Sequence, residues 1–408
     1  MAQSVEWLPQ HRNVVIASFF AWTLDAFDYF LLVFSIGRLA SDFHTSISDM
    51  TVATFLTLAM RPLGAFLFGL FADARGRRPA LIASVLLYSA LELASAFAPT
   101  LAVFLTLRAL FGIAMGGEWG VGAALAFESI PVRSRGAISG LLQSGYPCGY
   151  LLAAIAYGLL FDRIGWRGMF MVGAAPAVLV LYIAAKVPES PVWLEGRVST
   201  GERRRPWSGL AAYWSVALYA VILMTAFNFF SHGTQDMYPT YLQKQRGFST
   251  GTVSTIAIIY NIGAICGGLL FGRLSSRLGR RRTIAIAAAL ALPAVPFFAF
   301  SSNPAHTAIA AFAMQFMVQG AWGVVPVYLN ELAPAALRAT FPGFVYQLGN
   351  LLASSNAKLQ SLVAISHGGE ASPDYGFALA LFSGTVAIVL VVLAALGPER
   401  RDVKFTAQ

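Results

Sequence analysis

The chain has 408 residues, of which 57% are hydrophobic and only 12% are charged. A soluble protein of this size needs a charged shell over its core, so the composition excludes an ordinary soluble domain and calls for lipid-facing surface. The net charge of +9 is not a nucleic-acid signal, because the basic residues sit in short connections between apolar runs.

Residues 1–13 are polar, and the long apolar run after them lacks a small-residue cleavage site. It reads as a first membrane helix rather than a signal peptide. Further runs place about twelve spans, at 14–36, 50–71, 80–98, 101–125, 136–160 and 167–187, then 213–232, 249–271, 283–300, 305–329, 338–362 and 375–397. Each approaches the ~20 residues that cross the hydrocarbon at about 1.5 Å per residue. They are expected to be helices, because unpaired backbone in lipid costs several kcal/mol per group. The fold class is therefore an all-α membrane protein.

With the N-terminus inside, cytoplasmic segments carry 20 Lys and Arg and external ones 5, while Arg61, Arg108 and Lys358 lie within spans, accounting for all 28. The positive-inside rule then places both termini in the cytoplasm. Residues 188–212, with Arg203, Arg204, Arg205 and Pro206, read as an interdomain linker whose basic run anchors orientation. Gly112, Gly116 and Gly120 in span four, and Gly145 and Gly149 in span five, have the spacing of close helix packing. Pro147 between the last two is expected to bend its helix. Most aromatic residues are expected at lipid or the interface. Cys148 and Cys266 fall inside apolar runs and suggest neither a disulfide nor a metal. The loop histidines His11, His44, His306 and His367 lack paired metal-ligand spacing. Neither a metal nor another cofactor is expected.

One offset, 203 residues, organises the chain. The basic connection from Gly69 to Arg78, with Asp73, Arg75 and Arg77, recurs in degraded form from Gly272 to Arg281. Asp73 becomes Ser276. The same step takes Glu128, Pro131 and Arg135 to Glu331, Pro334 and Arg338, Trp119-Gly120 to Trp322-Gly323, and Asp25 to Asn228. Two homologous six-helix bundles are expected, 1–187 and 213–408, joined by 188–212. Asp73 is expected to accept from an arginine or a neighbouring helix terminus. Glu128 with Arg135, and Glu331 with Arg338, are expected charge pairs. Together with Asp73 and Arg77 they are candidate cytoplasmic gate residues, the alternative being static bridges.

This arrangement resembles the major facilitator superfamily over nearly the whole chain. The Gly69–Arg78 signature, the repeat and the six-plus-six layout carry the resemblance. Arg108, Gly112 and Gly116 resemble the superfamily's fourth-helix pattern. Pro188-Glu189-Ser190-Pro191-Val192-Trp193-Leu194 resembles the segment ending the sixth helix in the branch with sugar and organic-acid carriers. The stretch from Asn228 through Ser231, His232, Thr234, Gln235 and Asp236 to Thr240 fits the signature of fungal Jen-type lactate and pyruvate proton symporters. Trp22-Thr23-Leu24-Asp25-Ala26-Phe27-Asp28 resembles the first helix of that group and of bacterial sialate:proton symporters. The sialate carriers generally have extra mid-chain spans, for which this chain has no room. The resemblance implies proton-coupled symport of a small monocarboxylate, in a bacterial-type cytoplasmic (inner) membrane, by a protein working as a monomer. Its partners would be the acid, the proton and the lipid bilayer, with no nucleic acid.

The intramembrane polar residues supply the candidate site. Arg61 lies about 15 Å into span two, where an arginine faces the bundle interior or an aqueous path. Its planar fork suits a carboxylate, though pairing with Asp25, Asp28 or Glu118 is equally open. Asp25 and Asp28, three apart, can share a helix face. In a dry cavity one of the two is expected to hold a proton. Asn228 and His232, with Asp236 a turn further, present an amide, an imidazole and a carboxylate along one face. His232 changes charge near neutral pH. Asp236 and Gln235 are alternatively an external gate with Lys244 and Arg246. Gln143, Gln347 and Asn350 are expected to line the cavity. Arg108 is a candidate relay or structural-coupling residue, and Glu118 is placed to pair with an arginine of the first bundle. Lys358 is expected to snorkel.

The expected cycle is alternating access: a proton joins Asp25/Asp28 or His232/Asp236, the acid meets Arg61 and Asn228, and the neutralised centre closes away from water. No covalent chemistry is needed, so the chain is not expected to be an enzyme. A carrier of sialate or a small aromatic acid, and a non-transporting membrane receptor, are the competing readings.

Overall fold

The computed structural model describes residues 7–200, 213–401 and 403–405. The described residues are helical with turns and no strands. Among them, ten helical runs are long and apolar enough to cross a membrane. One, Val132–Lys186, holds two crossings, because Gly165 takes φ 64° and reverses the chain. A further crossing is made by Thr340–Ala353 and Asn356–Gly368, which a break at Ser354 and Ser355 separates. The described chain thus supplies twelve crossings, at the positions the apolar runs predict.

The 203-residue offset is visible in how helices begin. Spans entering from the face opposite the termini start on side-chain caps that occupy the free amides of a first turn. Ser46 accepts from Asp49 N at 3.0 Å, and Ser249 from Thr252 N at 3.2 Å. Thr100 and Asn303 cap the fourth and tenth spans in the same way. On the face carrying the termini, hereafter the terminal face, helices Arg77–Ala96 and Arg280–Ala291 start from Gly76 and Gly279. Their φ values of 114° and 97° favour glycine strongly.

Residues 9–200 and 214–396 pack mainly among themselves, then meet along two seams. The second span runs against the eleventh, and the fifth against the eighth. The seams close on glycine. A Cβ added at Gly120 would lie 2.7 Å from Gly343 Cα, and one at Gly272 would lie 2.7 Å from Gly140 Cα. The helices therefore touch backbone to backbone, as small residues permit. Gly112 and Gly116 serve packing inside the first bundle instead, against the backbone of Thr57 and Arg61. Residues 201–212, including Arg203, Arg204, Arg205 and Pro206 of the expected linker, lie outside the described residues.

Candidate functional site

The second span carries a single arginine in its middle, and the polar faces of the first and seventh spans turn toward it. The result is a small central cavity of about 50 Å³. Its lining includes Asp25, Arg61, Gln143, Asn228, His232 and Asn350. Arg61 donates to Asp25 Oδ1 at 3.1 Å, and both residues are buried. Its Nε has no hydrogen-bond partner. Across the cavity His232 bridges Asp236 Oδ1, at 3.1 Å from Nδ1, and Asn350 Oδ1, at 3.2 Å from Nε2. Asn228 donates to Met224 O at 2.8 Å, one turn back. Its other amide hydrogen and its oxygen make no hydrogen bond to the described residues. The His232 and Asp236 side chains are 30% and 34% exposed, so solvent reaches the cavity along their side.

Several expected residues fall elsewhere. Gln347 does not line the cavity. It is buried beside it with Oε1 unpartnered. Asp28 sits three residues from Asp25 but faces a second ionic cluster. There Arg108 meets Glu92 at 2.8 Å, both fully buried, and also donates to Ser95. The Arg108 guanidinium stacks on Phe111 at 4.3 Å. Both Asp28 oxygens lack a hydrogen-bond partner, as do both Glu118 oxygens. The expected bridge from Glu118 to an arginine is therefore not made. Asp236 stands behind His232 rather than in the lining.

Sequence reasoning missed three groups. Glu92 was the largest omission, and its signal was plain: a carboxylate inside an apolar span is costly and rarely idle. Gln315 and Gln319 were also missed. Gln315 joins Gln235 at 2.9 Å and Thr234 at 3.0 Å, while Gln319 reaches Ser231 at 3.2 Å. The third group is aromatic. Tyr29, Tyr146, Tyr346, Trp22 and Trp322 line the cavity, an inward-facing set that the expectation of aromatic residues mostly at lipid or the interface does not single out. Tyr346 packs on both repeat-related tryptophans, Trp119 at 4.7 Å and Trp322 at 5.6 Å between centroids. It occupies the position that maps onto Gln143, so one repeat puts an amide where the other puts an aromatic floor.

The terminal side of the cavity is sealed. Gly69, eight residues beyond Arg61 and so about 12 Å along the helix, abuts Thr340 of the eleventh span. Four residues further, Asp73 accepts from Ala339 N at 3.1 Å, Thr340 N at 3.1 Å and Thr340 Oγ1 at 2.7 Å. A carboxylate of one bundle thus caps the first turn of a helix in the other, where the helix dipole favours negative charge.

The expected pairs Glu128–Arg135 and Glu331–Arg338 are not formed. Glu128 instead takes a two-pronged bond from Arg77, at 3.0 and 2.9 Å, and Glu331 takes the same bond from Arg280, at 2.9 and 2.9 Å. Arg77 and Arg280 start the helices beside these carboxylates and present a flat fork to them. Arg135 donates to the carbonyls of Phe127 and Val403, and Arg338 approaches Glu128 of the other half at 3.9 Å. A second matching pair of carboxylates holds the starts of the same two helices. Glu189 accepts from Arg77 N at 2.9 Å, and Glu399 accepts from Arg280 N at 3.2 Å.

Two bundles joined along glycine seams, a polar cavity between them and one sealed side define a class: a twelve-span carrier. Residues 18–355 match the family model described as Major Facilitator Superfamily, and the chain belongs to that family. It is an integral membrane transporter and not an enzyme. It is 31% identical to a carboxylic acid transporter protein homolog of Saccharomyces cerevisiae (strain ATCC 204508 / S288c), over 96% of this chain and 68% of that protein. It is 24% identical to a sialic acid transporter of Escherichia coli (strain K12), over 95% and 94% of the two chains. Among solved structures, the proton:xylose symporter XylE bound to 6-bromo-6-deoxy-D-glucose superposes with a TM-score of 0.75, at 17% identity and over 96% of each chain.

Proposed function

We propose that this carrier moves a small monocarboxylate of the lactate or pyruvate type together with a proton. The observation that carries the reading is the Arg61–Asp25 pair at 3.1 Å in the cavity wall. A buried guanidinium already held by a carboxylate is a site where another carboxylate can exchange in. A proton on Asp25 cancels its hold on Arg61. The acid's carboxylate then takes the vacated prongs, and Asn228, His232 and Gln143 meet its polar end. Proton and anion enter as a neutral pair, which lowers the cost of closing the cavity against water. The other proton candidates are Asp28, Glu118 and the His232–Asp236 pair. His232, between two oxygens, donates to both only as imidazolium.

On this reading the bundles 1–187 and 213–408, linked by 188–212, rock about the cavity. The contacts that part when the terminal side opens are those of Asp73 with Ala339 and Thr340 and of Arg338 with Glu128, while Arg77–Glu128 and Arg280–Glu331 stay within their own bundles. The basic balance of the loops supports a cytoplasmic location for that side, and the reading has the protein working as a monomer in a bacterial inner membrane. The yeast relative's printed name, carboxylic acid transporter protein homolog, supports the substrate class.

A second reading, a bulkier organic acid such as sialate or a small aromatic acid, is favoured by the tyrosine- and tryptophan-lined wall and by the sialic acid transporter of Escherichia coli. Uptake of labelled L-lactate into proteoliposomes, with and without an inward proton gradient, tests the first reading. Accumulation that a protonophore abolishes supports it. Folded protein that takes up sialate or an aromatic acid, and no lactate or pyruvate, overturns it in favour of the second.

A further inference from the structure

The chain's last described residues return to the seam between the bundles. Arg400 donates toward Leu332 O at 3.5 Å and Arg401 donates to Arg277 O at 2.8 Å. Val403 O accepts from Arg135 Nη1 at 2.7 Å. Phe405 then turns inward and is 8% exposed. Its ring centroid lies 3.6 Å from Arg135 Cζ and 4.3 Å from Arg338 Cζ. These arginines are the 203-residue mates, one from each bundle, and both are buried. An aromatic face is attracted to a guanidinium, and here one ring faces two guanidiniums, one from each bundle. Glu128 and Glu331 stand close behind them.

We infer that Arg135 and Arg338 form a docking site for an aromatic side chain and a short extended backbone, occupied by the chain's own C-terminal segment, which latches the terminal side shut. The inference rests on the alternating-access reading above. When the bundles part at this face, Arg135 and Arg338 move apart with them and one ring can no longer hold both. Phe405 therefore contributes to the sealed state and is lost to the opened one. The Val403 carbonyl fixes the register, because Arg135 must hold it and face the ring together. Arg135 also donates to Phe127 O at 3.1 Å, so the latch is tied to the end of the fourth span, on which the gate carboxylate Glu128 lies.

The test needs no substrate. A cysteine at Ser139, which is buried at the seam against Val327 N, is placed in a background lacking Cys148 and Cys266. A membrane-impermeant thiol reagent then labels it at a rate proportional to the opened population, even when that population is small. Phe405→Ala, Phe405→Leu and truncation after Arg401 should each speed labelling roughly tenfold, the size expected from losing partly buried cation–π contacts. Phe405→Trp keeps the ring and should leave the rate unchanged. A peptide of residues 397–408 should slow labelling of the truncated carrier, and the same peptide with Phe405→Ala should not. Phe405→Leu separates ring chemistry from bulk, and the peptide arm needs no substitution in the carrier's tail. Labelling rates within twofold of the parent in Phe405→Ala, Phe405→Leu and the truncation would overturn the latch. Failure of lactate uptake would bear on the substrate alone.

Discussion

Asp25→Asn is the sharpest perturbation of the proposed coupling. In the resting cavity the Asp25 oxygen and the Arg61 nitrogen are 3.1 Å apart. At an effective dielectric of about 20 their attraction is about 5 kcal/mol. An incoming anion must compete with that attraction, and recovers much of it only after Asp25 lets go. Asparagine keeps the shape and removes the competitor. The affinity for the acid should therefore rise about ten- to hundredfold at pH 8, equivalent to about 1.4–2.8 kcal/mol. In the parent protein, binding should strengthen as pH falls, because a proton on Asp25 does what the substitution does permanently. In the variant, binding should be nearly independent of pH. The assay is equilibrium binding of labelled lactate at pH 5.5 and 8, read beside two vesicle measurements. Exchange of internal for external acid should survive, and gradient-driven accumulation should be lost. A variant that keeps the parent's pH dependence and still accumulates the acid would refute the assignment of the coupling proton to Asp25.

Asp73→Asn weakens a cap of three hydrogen bonds to the eleventh span and should destabilise the sealed terminal side by about 1–2 kcal/mol. Faster thiol labelling at the seam measures this. Gly140→Val puts side-chain atoms where Gly268 O stands 2.2 Å from an added Cβ, so the seam should not close and transport should stop while the protein remains folded by circular dichroism. Glu92→Gln strips the partner from Arg108, both groups being fully buried, and should cost about 3–5 kcal/mol of stability. The matching loss in thermal unfolding temperature should be partly restored by Arg108→Gln in the same chain.

The fold was legible because its physics is one-dimensional. Apolar runs of membrane length must be helices, and a constant offset exposes the repeat without any contact being known. The constellation Arg61, Asn228, His232 and Asn350 was legible for a related reason, since polar groups inside spans have few places to go but a shared cavity. What failed was pairing. Proximity in one loop pairs Glu128 with Arg135, whereas the helix start at Arg77 delivers a planar fork to the carboxylate from another span. Glu189 and Glu399 do not follow the 203-residue step, being 210 residues apart in the chain, yet they do the same work at Gly76 and Gly279. The aromatic floor was invisible because tyrosine and tryptophan are common at lipid interfaces, and nothing in a composition separates those from the ones around Arg61.

In the proposed cycle the asymmetry between the halves carries the chemistry. Where the repeat is kept, at Gly76 and Gly279, Arg77 and Arg280, Glu128 and Glu331, it builds matching rigid corners on the terminal face. Where the repeat is broken, each break removes or adds one functional group. Asp25 against Asn228 leaves one side of the cavity acidic and the other neutral. Gln143 against Tyr346 sets an amide across from an aromatic floor. Asp73 against Ser276 leaves the cap on the opposite bundle's helix to one half alone. A symmetric cavity would offer a carboxylate two equal orientations. This one presents its only lining guanidinium among the described residues on the first bundle and its imidazole on the second, so on the proposed reading a small acid should lie one way, with its carboxylate at Arg61 and its polar end toward His232. On the same reading, the asymmetry would let one proton at Asp25 change the affinity for the acid without a matching change across the cavity. That is the condition for coupling two solutes in one site.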